Sequence, residues 1–248
     1  MKSLGRIALV TGGMGGIGTA ICQRLHNEGF KVIVGCSSDS ARKNEWAASQ
    51  LAAGYQFEFI YGDITDWEST RKAFEMAREQ FGAVDVLVNN AGITRDASFR
   101  KITPEDWNAV INTNLNGMFN TTKQVIEGML SKGWGRVINI SSINGQRGQF
   151  GQTNYSAAKA GIHGFTMALA REVSGKGVTV NTVSPGYIQT SMTAAIRQDI
   201  LDTMIAATPV GRLGQPEEIA SIVAWLASDE SGYSTGADFS VNGGMNMQ

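Results

Sequence analysis

Seven short apolar runs, separated by longer amphipathic stretches, restrict the fold of this 248-residue chain more than any other feature. Most of the runs are rich in valine and isoleucine and lack polar alternation, which is typical of strands buried on both faces of a parallel sheet. The predicted strands are Arg6–Val10, Lys31–Gly35, Phe57–Tyr61, Val84–Asn89, Arg136–Ser141, Val178–Ser184 and Asp238–Val241.

The stretches between these runs predict helices, two of which begin with a proline followed by an acid, a pattern of first helical turns. The predicted helices are Ile17–Glu28, Ser40–Ala53, Glu68–Gln80, Pro104–Leu130, Tyr155–Ser174 and Pro216–Ala227. Strand–helix alternation along the whole chain predicts an α/β Rossmann fold with a doubly wound, seven-stranded parallel sheet and helices on both faces. We expect residues 1–248 to form one such domain.

The stretch 186–209 has no clear helix or strand pattern. It follows the sixth predicted strand, at the carboxyl edge of the sheet where ligands bind in such folds. We interpret it as a substrate lid, and an ordinary pair of surface helices is the alternative.

Charge and composition exclude several classes of function. The net charge is −1 and no long basic run or long apolar run occurs, so we expect neither nucleic acid nor membrane as a partner. Cys22 and Cys36 form no CxxC pair, which is compatible with a reducing cytoplasm, where we expect the protein to act. His26 and His163 have no cysteine or acid at ligand spacing, so we predict structural roles and no metal site.

A glycine-rich turn follows the first strand directly and precedes a helix. Gly12 permits a tight turn, Gly16 lets backbone N–H groups approach a pyrophosphate, and Gly18 lets the helix pack close to the strand. This context predicts a dinucleotide-binding loop, and a glycine-rich surface turn is the alternative. The predicted contacts are Gly12, Gly13, Met14, Gly15, Gly16, Ile17 and Gly18.

The spacing T-G-x-x-x-G-x-G of this turn resembles the nucleotide loop of the short-chain dehydrogenase/reductase family. Other motifs of that family follow along nearly the whole chain: Asp63, Asn89-Asn90-Ala91-Gly92, Asn114, Ser142, Tyr155-Ser-Ala-Ala-Lys159 and Pro185-Gly186. The resemblance implies a nicotinamide-dependent oxidoreductase, commonly a homotetramer. It also implies cofactor contacts from Asp63, Asn90, Ala91, Gly92, Tyr155, Lys159, Pro185, Gly186 and Ile188. Asp63 would bind the adenine amino group, unless it only caps a helix or forms a turn.

The end of the second strand favours NADP(H) over NAD(H). NAD enzymes usually carry an acid there, which binds the ribose 2′-hydroxyl, but this strand ends in Cys36-Ser37-Ser38. Asp39 comes slightly late and Arg42 follows. Two serine hydroxyls and a guanidinium suit a 2′-phosphate, so Ser37, Ser38 and Arg42 are predicted contacts. A solvated charge at a helix start is the alternative reading of Arg42.

Tyr155 and Lys159 are four residues apart, which places both on one face of a helix. We expect the lysine ammonium to lower the pKa of the tyrosine, so that Tyr155 donates a proton to an alkoxide as hydride arrives. Ser142 would hydrogen-bond the substrate carbonyl oxygen, with Ser141 as the neighbouring candidate. The family resemblance further implies that Lys159 binds the nicotinamide ribose and that Asn114 holds a water linking the lysine to solvent.

The residues around the predicted site resemble the acetoacetyl-CoA reductases of polyhydroxyalkanoate synthesis. The similar stretches are residues 142–155, Gly92–Asp96, Trp134–Arg136 and Ala195–Gln198. They imply reduction of acetoacetyl-CoA by NADPH to (R)-3-hydroxybutanoyl-CoA. The implied substrate contacts are Asp96, Ser142, Gln149, Phe150, Gln152, Tyr187 and Arg197.

Phe150 could pack on an acyl or pantetheine chain, and Arg197 could meet a CoA phosphate. Arg95, Arg100 and Lys101 could form a positive rim, although each of these charges could equally be solvated. Met192 and Met204 either line an apolar substrate entrance or fill core.

Three other functions stay open. A 3-oxoacyl-acyl-carrier-protein reductase fits Ala170-Arg171-Glu172, although those enzymes usually carry Ser-Arg where this chain has Met14-Gly15. Another short-chain ketone or alcohol dehydrogenase is the second, and a role without turnover is the third. Trp225, Tyr233 and Phe239–Met245 could form a tetramer interface or close the core of one subunit.

Overall fold

The computed structural model describes residues 5–190, 193 and 197–247, and contains a seven-stranded, all-parallel sheet in the order β3-β2-β1-β4-β5-β6-β7. The strands are β1 Ile7–Thr11, β2 Lys31–Cys36, β3 Glu58–Tyr61, β4 Val86–Asn89, β5 Gly135–Ile140, β6 Val178–Pro185 and β7 Asp238–Val241. This order confirms the predicted doubly wound α/β fold. The chain reverses direction across the sheet between β1 and β4, which is where ligands bind in open sheets.

Helices flank the sheet on both faces. They are α1 Gly16–Asn27, α2 Ala41–Ala52, α3 Trp67–Phe81, α4 Pro104–Ile111, α5 Gly117–Lys132, α6 Ile143–Arg147, α7 Thr153–Val173, α8 Gln198–Ala206 and α9 Pro216–Leu226. Ser40, Asp66 and Thr103 cap the first turns of α2, α3 and α4 with their side-chain oxygens.

The helix predicted over Pro104–Leu130 is present, but it is not a single regular α-helix. A π-helical turn, Asn112–Asn116, separates α4 from α5. Such turns interrupt the regular 3.6-residue period, and they often occur at functional sites. The short helices α6 and α8 were not predicted from the sequence, since neither has enough turns to show a clear period.

Two apolar layers, one on each face of the sheet, form the core. One layer contains Ile21, Leu25 and Val223 from α1 and α9, and the other contains Phe74, Val125 and Met129 from α3 and α5. β5 and β6 are buried along their whole length, as strands between two helical layers should be.

The predicted lid, 186–209, lies partly outside the described residues, and so do Met192, Ala195 and Ile196. In its described part, Ile188 pairs with Gly214 in an isolated bridge, and α8 forms its second half. The Thr190 side chain lies against the glycine-rich turn, because a Cβ on Gly16 would come 2.7 Å from Thr190 Cγ2.

Two ion pairs lie at the amino edge of the sheet. The carboxylate of Asp85, which is 3% exposed, accepts the Ile7 N–H at 2.9 Å and forms an ion pair with Lys132. Arg6 pairs with Asp229 at 3.0 Å, and its guanidinium lies 3.7 Å from the centre of the Trp134 ring. Across the described residues, no helix combines the length and apolar character needed to span a membrane.

Candidate active site

A cleft of about 1000 Å³ opens at the carboxyl edge of the sheet, where β1 and β4 end. It gathers most of the predicted site residues from segments far apart in sequence. Those that line it are Gly12, Met14, Gly15, Gly16, Ile17, Gly18, Ser37, Arg42, Asp63, Asn90, Ala91, Gly92, Asp96, Ser142, Gln149, Phe150, Gln152, Tyr155, Lys159, Pro185, Gly186, Tyr187 and Ile188. Gly13, Ser38 and Arg197 do not line it, and Asn114 lines a smaller cavity next to it.

The glycine-rich turn leaves no room for side chains. Gly12 has a positive φ of 63°, and a Cβ on it would lie 2.9 Å from Ala91 Cα. A Cβ on Gly18 would collide with the carbonyl oxygen of Gly12. Gly13 instead faces the core, where a Cβ would lie 2.9 Å from Cys22 Sγ, so its role in this structure is close packing rather than cleft contact.

The first turn of α1 fits a phosphate group. Its N-cap, Gly15, provides no side-chain hydrogen bond, so side chains leave the N–H groups of the first turn free at the cleft. Backbone N–H groups and the positive end of the helix dipole both favour an anion at such a position. The described geometry therefore fits the pyrophosphate of a dinucleotide.

Asn90 and Thr11 fix the turn to the end of β4. The Asn90 side-chain amide donates to the carbonyl oxygens of Thr11 and Gly12, each at 3.0 Å. The Thr11 hydroxyl accepts the N–H groups of Asn90 and Ala91 at 3.0 and 3.1 Å. Sequence reasoning missed Thr11, although a hydroxyl residue between a buried strand and a glycine turn could have indicated it.

The end of the cleft near β2 is cationic rather than acidic. Arg42 is exposed and lines the cleft beside Ser37. The nearby acid, Asp39, pairs with Lys43 at 3.0 Å, and its hydrogen bond raises the pKa of the Lys43 ammonium. Ser38 is exposed but lies outside the cleft lining.

Asp63 lines the cleft and also forms a turn. Its Oδ1 accepts hydrogen bonds from the backbone N–H and the hydroxyl of Thr65, at 2.9 and 2.8 Å. Asp66, not Asp63, caps α3. The turn that was the alternative explanation for Asp63 is therefore present in the structure. The predicted contact of Asp63 with adenine stays a prediction.

Lys159 is buried without a carboxylate partner among the described residues. It is 4% exposed, its Nζ donates to the Ile140 carbonyl oxygen at 2.9 Å, and burial lowers the pKa of its ammonium to about 8. Gly92 makes this environment possible, because a Cβ there would lie 2.5 Å from Asn114 Oδ1 and 3.5 Å from Lys159 Nζ.

The prediction of a net lowering of the Tyr155 pKa was wrong for this structure. Burial raises the pKa of the Tyr155 phenol, a hydrogen bond with the Ser142 hydroxyl lowers it, and the charge of Asp96 raises it further. The Lys159 ammonium lies 5.5 Å from the centre of the phenol ring and hydrogen-bonds a backbone carbonyl instead of the phenol. Tyr155 is therefore a protonated acid at neutral pH.

Ser142 and Ser141 have different surroundings. Both serines line the cleft, and Ser142 also caps α6, where its Oγ accepts the Asn144 N–H at 3.1 Å. The Ser141 hydroxyl is 3% exposed and donates to the Lys159 carbonyl oxygen at 2.9 Å. The geometry favours Ser142 as the residue that can reach a substrate.

The π-helical turn positions Asn114. Its side-chain amide accepts the Ile93 N–H at 2.9 Å and donates to the Ile93 carbonyl oxygen at 2.8 Å. A cavity of about 10 Å³, close to the volume needed for one water, lies between Asn114, Lys159 and Asn89. The predicted role of Asn114 in holding a water stays a prediction.

A chain of amides lies on the substrate side of Ser142. Asn144 donates to Gln152 Oε1 at 2.9 Å, and Gln152 Nε2 donates to Asp96 Oδ2 at 2.8 Å. Asn144 is 7% exposed, and its Oδ1 is buried without a hydrogen-bond partner in the described structure. Sequence reasoning missed this residue, since an asparagine two positions after a serine carries no distinctive signal.

Phe150 lines the cleft, whereas the predicted rim cations Arg95, Arg100 and Lys101 do not, and Arg95 pairs with Asp106 at 3.8 Å. Phe150 is 89% exposed, and Arg95, Arg100 and Lys101 are exposed nearby in sequence to Asp96. Arg197 is the exception among the predicted substrate contacts, because its guanidinium pairs with Asp199 through two hydrogen bonds of 2.7 and 2.8 Å. Its contact with substrate stays a prediction.

The described residues contain no cluster of three or more histidine, cysteine or acidic side chains that could hold a metal ion. His26 and His163 lie on α1 and α7, in agreement with the helical placement expected for them.

Comparisons with known proteins identify relatives along almost the full chain. Residues 6–201 match the family described as short chain dehydrogenase. The chain is 66% identical over 242 residues to acetoacetyl-CoA reductase of Cupriavidus necator, covering 98% of both sequences. It is 46% identical over 247 residues to a 3-oxoacyl-[acyl-carrier-protein] reductase of Vibrio harveyi, covering 100% of both. The crystal structure of gox2181 superposes with a TM-score of 0.93 at 35% identity, covering 98% of this chain and 96% of the other.

Proposed function

Because the chain belongs to the short-chain dehydrogenase family, we propose that this oxidoreductase uses NADPH to reduce acetoacetyl-CoA to (R)-3-hydroxybutanoyl-CoA. The observation that carries the proposal is the placement of Ser142, Tyr155 and Lys159 in the same cleft as the glycine-rich turn. The 66% identity to an acetoacetyl-CoA reductase supports the substrate and a role in polyhydroxybutyrate biosynthesis.

Ser142, Tyr155 and Lys159 have separate roles in the proposed reaction. When bound, NADPH supplies a hydride to the carbonyl carbon of the substrate. The Ser142 hydroxyl hydrogen-bonds the carbonyl oxygen as negative charge develops, and Tyr155 transfers its proton to that oxygen. The raised pKa of Tyr155 suits this direction, since the phenol is protonated before each turnover.

Lys159 acts after the proton has left Tyr155. Its ammonium lies over the phenol ring and would stabilise the phenolate that remains. The small cavity beside Asn114 and Lys159 supports a route for a proton through one water to the lysine. We propose that Asn114 keeps this route in place through its two hydrogen bonds to Ile93.

The proposed substrate contacts lie on the rim and its amide chain. Asp96, Gln149, Gln152 and Tyr187 line the cleft near Ser142. The exposed Phe150 ring would pack on the acyl or pantetheine chain, and the rim cations would attract the CoA phosphates. To contact the substrate, Arg197 would have to break its two hydrogen bonds to Asp199. We propose that 186–209, which includes the cleft residue Met204, covers the substrate.

The decisive assay follows NADPH oxidation with acetoacetyl-CoA and analyses the chirality of the product. We expect turnover and an (R)-3-hydroxy product. No turnover, or an (S) product, would contradict the proposal. The same assay with acetoacetyl-acyl-carrier protein tests the second candidate, which is favoured by the identity to the Vibrio harveyi reductase and by the exposed Arg171. A large preference for the carrier protein would make that candidate correct.

The preference for NADPH depends on Arg42. Replacement Arg42→Ala should raise the KM for NADPH about tenfold and leave the KM for NADH nearly unchanged, because one charged hydrogen bond to the 2′-phosphate is lost. Arg78→Ala, at the far end of α3, is the matched control and should change neither KM. Equal effects of Arg42→Ala on the two cofactors would contradict the 2′-phosphate contact.

We further propose that residues 1–248 act as one domain and form a homotetramer in the cytoplasm. Trp225 packs against Phe239, with ring centres 5.7 Å apart, whereas Tyr233 is fully exposed and available for a partner subunit. The buried free thiols of Cys22 and Cys36 suit a reducing compartment. Light scattering at assay concentration tests the tetramer, and a monomer or dimer mass would contradict it.

A further inference from the structure

His163 lies one helical turn beyond Lys159, on the face of α7 that also carries Tyr155. Its imidazole connects four elements behind the catalytic serine. We define the His163 network as Ser141, His163, Ser184 and Asp238. These residues belong to the β5–α6 turn, α7, β6 and β7.

Both ring nitrogens of His163 have polar partners. Nε2 lies 2.8 Å from the Ser141 hydroxyl and 3.5 Å from the Ser184 hydroxyl. Nδ1 lies 3.5 Å from Asp238 Oδ2, and Ser184 donates to Asp238 Oδ1 at 2.7 Å. Gln146, the next-to-last residue of α6, donates to Asp238 Oδ2 at 2.7 Å and so ties that helix to the same carboxylate.

The network touches the catalytic machinery through Ser141. The Ser141 hydroxyl donates to the Lys159 carbonyl oxygen, and the next residue in the chain is Ser142. The backbone of α6 also lies directly on α7, because a Cβ on Gly145 would come 2.8 Å from the Lys159 carbonyl carbon. A displacement of Ser141 therefore moves Ser142 and Lys159 relative to each other.

We propose that His163, oriented by Asp238, is a positioning residue that holds Ser141 and thereby fixes the distance between Ser142 and the Tyr155–Lys159 pair. The proposal rests on the reductase function described above. A serine hydroxyl alone can rotate between several acceptors. Because the Ser141 hydroxyl donates to the Lys159 carbonyl oxygen, the N–H at Nε2 of His163 is the donor to Ser141 Oγ, and the two bonds together leave the hydroxyl one orientation. The role is indirect, since His163 contacts Ser141 and not the reacting atoms.

Two amide replacements separate the two nitrogens of the ring. In His163→Gln, the amide nitrogen can reach the position of Nε2 and keep the bond to Ser141. In His163→Asn, it replaces Nδ1 and keeps only the side toward Asp238. We expect His163→Leu and His163→Asn to lower kcat about tenfold, which corresponds to about 1.4 kcal/mol of transition-state stabilisation. We expect His163→Gln to retain more than half of the wild-type kcat.

The binding of cofactor distinguishes positioning from general damage. The dissociation constant for NADPH should stay within about twofold of wild type in all three variants, because none of the four residues of the network belongs to the glycine-rich turn, where the pyrophosphate is proposed to bind. Asp238→Asn should lower kcat in the same direction by about threefold. His26→Leu, which removes a histidine that packs edge-on against Tyr55 and Phe57, is the control and should leave kcat unchanged.

The experiment measures kcat, the KM values and NADPH binding for these variants with acetoacetyl-CoA, after wild type has been assayed. An inactive wild type would contradict the proposed function, not the His163 network, and the variants would then be compared on the best ketone of a substrate panel. An active wild type with unchanged kcat in His163→Leu overturns the positioning role. Equal loss in His163→Gln and His163→Asn also overturns it, as does a parallel loss of NADPH binding.

Discussion

Asp85 at the amino edge of the sheet and Lys159 at the carboxyl edge are both buried, but of the two only Asp85 has an ion-pair partner among the described residues. At the amino edge, the buried Asp85 carboxylate is paired with Lys132 and a backbone N–H, and Arg6 is paired with Asp229. At the carboxyl edge, Lys159 is buried with a carbonyl oxygen as its hydrogen-bond partner, and the half-buried Tyr155 lies beside it. Burial displaces the pKa of both carboxyl-edge groups in the direction of their neutral forms.

This difference separates what each edge contributes to stability from what it contributes to activity. Charges that are paired with each other stabilise the fold and are not available to exchange protons with a substrate. A buried, incompletely paired charge costs stability, but it holds groups whose protonation can change during a reaction. We therefore expect replacements at the carboxyl edge to lower activity without lowering stability, and replacements at the amino edge to do the reverse.

Among the tests of this comparison of the two edges, the largest expected effect comes from Lys159→Met, which keeps most of the length of the side chain but removes its charge. It should lower kcat by about 100-fold or more, because the phenolate loses its cation. The free energy of unfolding at pH 7 should not fall and should rise by about 1 kcal/mol, since a buried ammonium with a lowered pKa destabilises the fold. Chemical denaturation and steady-state kinetics measure the two quantities.

The gain in stability has a defined pH window. The Lys159 pKa is about 8 in the folded chain against an ordinary value of 10.5, so the unfolded chain binds more protons between these values. The stability of wild type should therefore rise with pH across that window, and its difference from Lys159→Met should shrink. A variant that is less stable than wild type at pH 7 would break the comparison of the two edges.

The reverse case is Asp85→Asn at the amino edge. It should lower the free energy of unfolding by about 2 kcal/mol, because the charged hydrogen bonds to Ile7 and Lys132 are weakened. Its kcat should match wild type at temperatures where the variant is folded. Loss of kcat without loss of stability would show that the two edges are not separate in function.

The smallest effect is the pH dependence of wild-type activity. The ratio kcat/KM for NADPH reports ionisations of the free enzyme, so it should fall as pH rises through about 8, where the Lys159 ammonium is lost. Tyr155, whose pKa is raised, should cause no earlier decrease. A profile that declines between pH 6 and 7 would mean that a different group controls cofactor capture.

The sheet was predictable because its signal is local. Strands β1, β5 and β6 are buried on both faces, and each predicted strand exists within one or two residues of its observed ends. The glycine turn and the Tyr155–Lys159 spacing were predictable for the same reason, since a strand end and one helical turn fix their geometry.

Features that depend on distant contacts were not predictable. The π-helical turn at Asn114 places an amide on both backbone groups of Ile93, which lies 21 residues earlier. The pKa of Tyr155 depends on burial beneath segments that join it only in the folded chain, and this effect exceeds that of the neighbouring ammonium.

The central claim is that the buried phenol of Tyr155 provides the proton for the reduced carbonyl oxygen. The most direct test compares kcat and the NADPH dissociation constant of Tyr155→Phe with those of wild type. The account predicts that kcat falls by about 1000-fold while the dissociation constant stays within about twofold, because only the hydroxyl is removed. A kcat within about tenfold of wild type would contradict it.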